Sequence, residues 1–270
     1  MFKEAHENGK KLIFGLIHTR PFPGSPFYKE GNLEYTLDKV IRDAKALENG
    51  GADGCLVQTN DSIYPNTDDC DYVRVATLAM LANEVKHVVG KDFKVGVQIM
   101  WNCITPSIAV ARAIGADFTR CTCLVGRTES TYGLIEGNPL KVLEYRRKIG
   151  AENVEMIAEI SGYHNLTGLD EHGLVAKLND AARVRAEAVE VCDRNEEINN
   201  KICQIVRNAR PDMPIILGGG TTVESAVRRL ENADGALVGA CFEGGQANWG
   251  GYVQEKIVAE YMAEVRRVYG

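Results

Sequence analysis

A chain of 270 residues with 45% hydrophobic content fits one α/β domain, which typically takes about 250 residues and buries a large core. Its 31 basic and 37 acidic residues leave a formal charge of −6, which argues against a general nucleic-acid surface while leaving room for one basic pocket. No apolar run approaches the roughly 18 residues of a membrane span, and the opening MFKEAHENGKK lacks the apolar centre of a signal peptide, so a cytoplasmic protein without membrane insertion is expected.

Short apolar runs predict strands at 12–18, 54–58, 94–101, 117–123, 154–160, 188–192, 214–217 and 235–239. Most are nearly continuous, as parallel strands covered on both faces are. Helical patterns fall between and after them at 36–49, 72–89, 106–114, 139–149, 175–185, 196–208, 222–230 and 252–268. Glycine closes several helices, in GGAD at 50–53, GAD at 115–117 and GAEN at 150–153. The GAD or NAD repeated ahead of strands (Asp53, Asp117, Asp234) reads as a device that starts a strand, not as a catalytic motif. No low-complexity linker divides the chain. The alternation predicts a single-domain (β/α)8 TIM barrel over residues 1–270.

In such a barrel, chemistry sits at the C-terminal ends of the strands. The first strand ends in IHTRPFPGSP, where His18 can act as acid or base and Arg20 can pair with phosphate, or where a proline-stiffened loop merely closes the mouth. Gln58, Asn60 and Asp61 follow the second strand, and Trp101 and Asn102 end the third. Arg120 lies inside an apolar run, where an unpaired charge is costly, so Asp117, Glu159 or a ligand phosphate is expected beside it. The connection at 125–139 is long and rich in turn formers, as binding loops and lids are. After the fifth strand, Glu159 and His164 can share acid–base work or belong to an interior hydrogen-bond network. Glu190, Cys192, Asp193 and Arg194 mark the end of the sixth.

The last third holds the most specific pattern. PIILGGGTT and, about twenty residues on, ADGALVGACFEGG are apolar runs that end in glycine and lead into helical patterns. Glycine lets backbone N–H groups approach an oxyanion, and a following helix points its positive end there. Gly218, Gly219, Gly220 and Gly239 are therefore expected to hold phosphate, which makes the barrel one of the phosphate-binding type. The eight cysteines are expected as reduced thiols, most of them in or beside apolar runs, without a metal site; no pattern names a cofactor.

IHTRPFPGSP, VGVQIMWN, GADFTRCTCLVG, GLIEG with the following YRRKIGAENV, and ADGALVG together resemble the BtpA (BtpA/SgcQ) family over about residues 12–245. The resemblance implies a TIM barrel of the phosphate-binding type, in a family with one namesake linked to photosystem I and another to a sugar-phosphate gene region. His18, Asn102, Arg120, Glu136, His164 and the late glycines match the family pattern, which adds Asn102 and Glu136 to Arg20 and Arg120 as substrate-binding candidates. The chain departs from that pattern at QTNDS after the second strand, at Glu159 and Tyr163, at CDRNEE, and at Glu243 where a lysine is common. Those departures imply an altered substrate or a member that binds without turnover.

Two classes of function follow. One is a cytosolic enzyme acting on a phosphorylated sugar or nucleoside by isomerase, lyase or hydrolase chemistry, with His18, Glu159 and His164 moving protons. The other is a noncatalytic binding or assembly factor. A phosphorylated small molecule is the expected ligand, and a homo-oligomer stays open.

Overall fold

In the computed structural model, which describes residues 1–270 except 62, 163, 164, 167 and 249, parallel strands β1 (Leu12–His18), β2 (Gly54–Gln58), β3 (Lys94–Gln98) and β4 (Phe118–Cys121) pair in sequence order. An antiparallel hairpin, β5 (Arg127–Ser130) and β6 (Gly133–Glu136), interrupts the series. β7 (Glu155–Ser161), β8 (Ala188–Val191), β9 (Ile215–Leu217) and β10 (Gly235–Val238) complete it, and β10 pairs with β1 to close an eight-stranded barrel. The fold expected from the alternation of apolar runs and helical patterns is the fold present.

Around the barrel run α2 (Asn32–Asn49), α3 (Tyr72–Val88), α4 (Ile104–Ile114), α5 (Pro139–Lys148), α6 (Glu171–Arg183), α7 (Glu196–Ala209), α8 (Ala226–Arg229) and α9 (Glu255–Tyr269), preceded by α1 (Phe2–Glu7). Short polar side chains start several of them. Asp71, Asn138, Asp170 and Asn195 accept from first-turn amides that have no helical partner. None of the described helices is long and apolar enough to cross a membrane. The helix expected at 222–230 shrinks to the four residues of α8, so the loop after β9 meets no helix end of useful length.

The core has two layers, as strand alternation requires. Outward residues such as Ile13, Ile17, Val57, Val95, Val97 and Val189 pack beneath the helices. Inward residues Phe14, Leu16, Leu56, Phe118, Ile157 and Leu237 fill the barrel. α1 stoppers its lower end: Phe2 lies 5.9 Å from the Phe14 ring and 5.8 Å from the Phe118 ring, both edge-on.

The repeated aspartates have a structural purpose at that lower rim. Asp53 accepts from Ile13 N (2.9 Å), Asp117 from Val95 N (2.9 Å) and Asp234 from Ile215 N (2.7 Å). Each carboxylate, placed just before one strand, satisfies an amide at the start of a neighbouring strand. Glu187 does the same for Met156 N at 2.7 Å.

Candidate functional site

The inward positions turn polar at the upper end of the barrel. His18, Gln58 and Gln98 are in register across β1, β2 and β3, two residues above Leu16, Leu56 and Gly96. Arg120 lies two residues above Phe118, and Glu159 pairs in register with Glu190. The layer closes on the other side with Gly218 and Gly239.

Arg120 holds its half of the layer. Its Nε donates to Glu190 Oε2 at 2.5 Å, and Nη2 donates to Glu190 Oε1 at 2.6 Å and Glu159 Oε2 at 3.0 Å. The expected partner Glu159 is thus joined by Glu190, while Asp117 sits at the opposite rim. Burial alone would lower the Arg120 pKa, but Glu190 and then Glu159 raise it, so the guanidinium stays charged. Nη1 donates to no protein acceptor among the described residues.

Glu159 behaves differently from an ordinary carboxylate. Burial first, then the neighbouring Glu190, push its pKa up to about 7 against the pull of Arg120. Its Oε1 is buried without a hydrogen-bond partner among the described residues, as are Oε1 of Gln58 and Oε1 of Gln98. Leaving such groups unpaired costs about 1–3 kcal/mol each. Gln98 is fixed in this orientation, because its Nε2 donates to Thr122 Oγ1 at 3.1 Å, which itself donates to Trp101 O at 2.9 Å. The three acceptors lie on three different strands.

A second buried charge network stands on β1 and after β10. His18 Nδ1 is 2.9 Å from Glu243 Oε1, and Glu243 Oε2 accepts from Gly250 N at 2.8 Å. Lys39 pairs with Asp43 and lies 4.0 Å from Glu243, and Asp43 accepts from Val253 N at 2.9 Å. Burial raises the Asp43 pKa while Lys39 opposes it. An ionised Glu243 makes Nδ1 the donor and fixes the imidazole tautomer. Lys39, one helical turn before Asp43 on α2, thus brings a positive charge beside Glu243.

The glycines serve two purposes. A Cβ on Gly218 would overlap Glu190 Oε1, and one on Gly239 would lie 3.0 Å from His18 Cε1. Both admit side chains of the polar layer. Gly218→Ala is expected to cost about 1–3 kcal/mol by displacing Glu190 from Arg120, read as a lower urea midpoint; an unchanged midpoint would mean that Glu190 has no fixed seat. Gly219 and Gly220 have φ of +135° and +74°, and space is open beside the Gly219 Cβ position. Among the described residues, the amides of Gly219, Gly220, Ala240 and Cys241 donate to no protein acceptor.

Three expected contacts lie outside the polar layer. Asn102 spends its amide on the backbone of Cys123, donating to O at 3.2 Å and accepting from N at 2.8 Å, and so ties the loop after β3 to the end of β4. Glu136 is exposed on β6, on the face opposite buried Ile135. Arg20 is exposed and stacks on Tyr35 at 4.3 Å, on the wall of a cavity of about 510 Å³ that Glu243, Tyr252 and Gln254 also line. His164 lies outside the described residues. Gln58, Gln98 and Glu190 belong to the layer although none is among the expected contacts, and alternation of side chains along each strand is the signal that points to them; Glu243 reaches His18 from the loop after β10, where no such alternation applies. All eight cysteines are free, and no group of three or more His, Cys, Asp or Glu among the described residues could hold a metal ion.

The chain is similar to proteins of several organisms. An uncharacterized protein of Archaeoglobus fulgidus is 28% identical over 87% of this chain and 93% of its own length. The photosystem I biogenesis protein BtpA of Synechocystis sp. is 26% identical over 84% of this chain and 78% of its own. The putative sgc region protein SgcQ of Escherichia coli is 24% identical over 96% of each. Among solved structures, tryptophan synthase of Mycobacterium tuberculosis superposes with a TM-score of 0.64 at 14% identity, covering 98% of this chain and 96% of that one. KGPDC of Streptococcus mutans in complex with D-ribose 5-phosphate gives 0.58 at 11% identity, covering 97% and 100%. At these identities the solved structures establish the barrel alone. The model of the BtpA family matches residues 9–266, so the chain belongs to the BtpA family.

Proposed function

We propose that this chain is a cytoplasmic enzyme acting on a phosphorylated small molecule, a sugar or nucleoside phosphate, by proton-transfer chemistry of the isomerase, lyase or hydrolase kind. The observation that carries the reading is Glu159, a buried carboxyl held up at about 7 with one oxygen unpartnered in the polar layer. A group poised near neutrality can both take and return a proton, which a fixed ion pair cannot. His18, oriented by Glu243, is the second proton-transfer group, and His164 retains its candidacy by its place after β7. The amides of Gly219, Gly220, Ala240 and Cys241 hold the phosphate in this reading, and Nη1 of Arg120 adds charge. The neighbour holding D-ribose 5-phosphate, built on the same barrel, fits such a ligand.

The test is a screen of phosphorylated sugars and nucleosides for binding and turnover, repeated on Gly219→Asp. The parent should bind at least one phosphorylated ligand, and the variant should lose that binding while keeping its circular dichroism spectrum. Equal binding by the variant, or no binding by the parent, removes the phosphate site. The name of the Synechocystis relative supports a second reading, an assembly factor. Tight binding without turnover across the screen favours that reading.

A further inference from the structure

On the rim of the barrel, three aromatic side chains come from three different loops. Tyr64 follows β2, Trp101 follows β3, and Tyr132 is the turn of the β5–β6 hairpin. Their ring centroids lie 6.2 Å (Tyr64–Trp101), 5.4 Å (Tyr64–Tyr132) and 5.3 Å (Trp101–Tyr132) apart. Trp101 is buried against Ile135 and Cys123, whereas the two tyrosines remain half-buried. Packing of the hairpin alone accounts for Trp101 and leaves two partly open rings at the mouth. The wall is joined to the row of unpartnered acceptors, because Thr122 bonds both Trp101 O and Gln98.

The order of strands in the barrel sets β3 opposite β9 and β4 opposite β10. The aromatic wall therefore faces the glycine loops across the mouth. Eight strands about 4.8 Å apart, tilted about 36°, enclose a barrel about 15 Å across. We infer that the ligand is a nucleoside monophosphate or a like molecule: a planar heteroaromatic ring against Tyr64 and Tyr132, a polyhydroxylated link donating to Gln58, Gln98 and Glu159, and a phosphate at the glycine loops. Aromatic faces bind bases with little regard to sequence, since every base offers a π-face. Hydroxyl groups are donors that satisfy the buried oxygens. The inference rests on the phosphate reading for one end of the ligand and on the aromatic wall and orphan acceptors for the rest.

Calorimetric titration of the full chain with AMP, GMP, CMP, UMP, adenosine and ribose 5-phosphate separates the two ends. At least one nucleotide should bind about tenfold or more tightly than ribose 5-phosphate. Tyr132→Leu should erase that preference and leave ribose 5-phosphate unchanged, and Tyr132→Phe, which keeps the ring, should retain it. Binding of adenosine that Tyr132→Leu abolishes, with no gain from phosphate, keeps the ring site and discards the phosphate site. Equal affinities for nucleotides and ribose 5-phosphate, a preference that survives Tyr132→Leu, or no binding of any nucleoside or nucleotide overturns the inference.

Discussion

Arg120→Met should lower the stability of the ligand-free chain by about 3–5 kcal/mol, because removing one member of a buried charge cluster leaves the others uncompensated. Methionine keeps much of the stem volume, so packing loss is minor. What remains is Glu190, which gave both oxygens to the guanidinium at 2.5 and 2.6 Å, facing Glu159 in register. Two carboxylates inside a barrel cannot both ionise cheaply. The defect should therefore be larger at pH 8 than at pH 5, where protonation relieves it. Arg120→Lys should recover little, since an ammonium cannot make the bidentate contact. Replacing Glu159 and Glu190 by leucine together with Arg120→Met should restore most of the loss, as apolar substitution of whole buried clusters often does. Denaturant midpoints measure all of these. An Arg120→Met midpoint equal to the parent's would place Arg120 in solvent and remove the cluster from the account.

What could be read from the residues follows the physics of each element. Strands β1 and β2 were expected at their observed bounds, because a parallel strand buried on both faces is an unbroken apolar run. The apolar run at 94–101 continues past the last ladder pair, so β3 ends at Gln98 and Asn102 falls in a loop that it pins. Helix α1 has no sequence signal because only Phe2 and Ala5 bury, too few to show a period. The hairpin was expected as a loop because its buried residues include Thr128 and Ser130, which carry no hydrophobic signal. At the site, Arg120 with Glu159 was foreseeable from the cost of burying a lone charge. Lys39 and Asp43 were not, since an i,i+4 pair on a helix is ordinarily a solvated one. Only the closure of β10 onto β1 brings Glu243 to them.

Glu159→Gln tests both the proton and the fold. A carboxyl with a pKa of about 7 in the native chain and 4.5 as its ordinary value binds a proton more tightly when folded. Its contribution to stability is present below pH 4.5 and is lost as the pH rises through 7. The parent should thus lose about 3 kcal/mol across that window, at 1.36 kcal/mol per pH unit. Glutamine has no proton to exchange, so the variant should be markedly flatter over the same range, with Glu190 still bound to Arg120. Turnover of any substrate found should fall about a hundredfold or more, as loss of a general acid or base requires. The pH profile of kcat/KM should also lose its limb near 7. A stability curve as steep as the parent's would show that Glu159 does not titrate there. Turnover that keeps both its rate and its limb would move the proton to His18, whose Nδ1 Glu243 already holds.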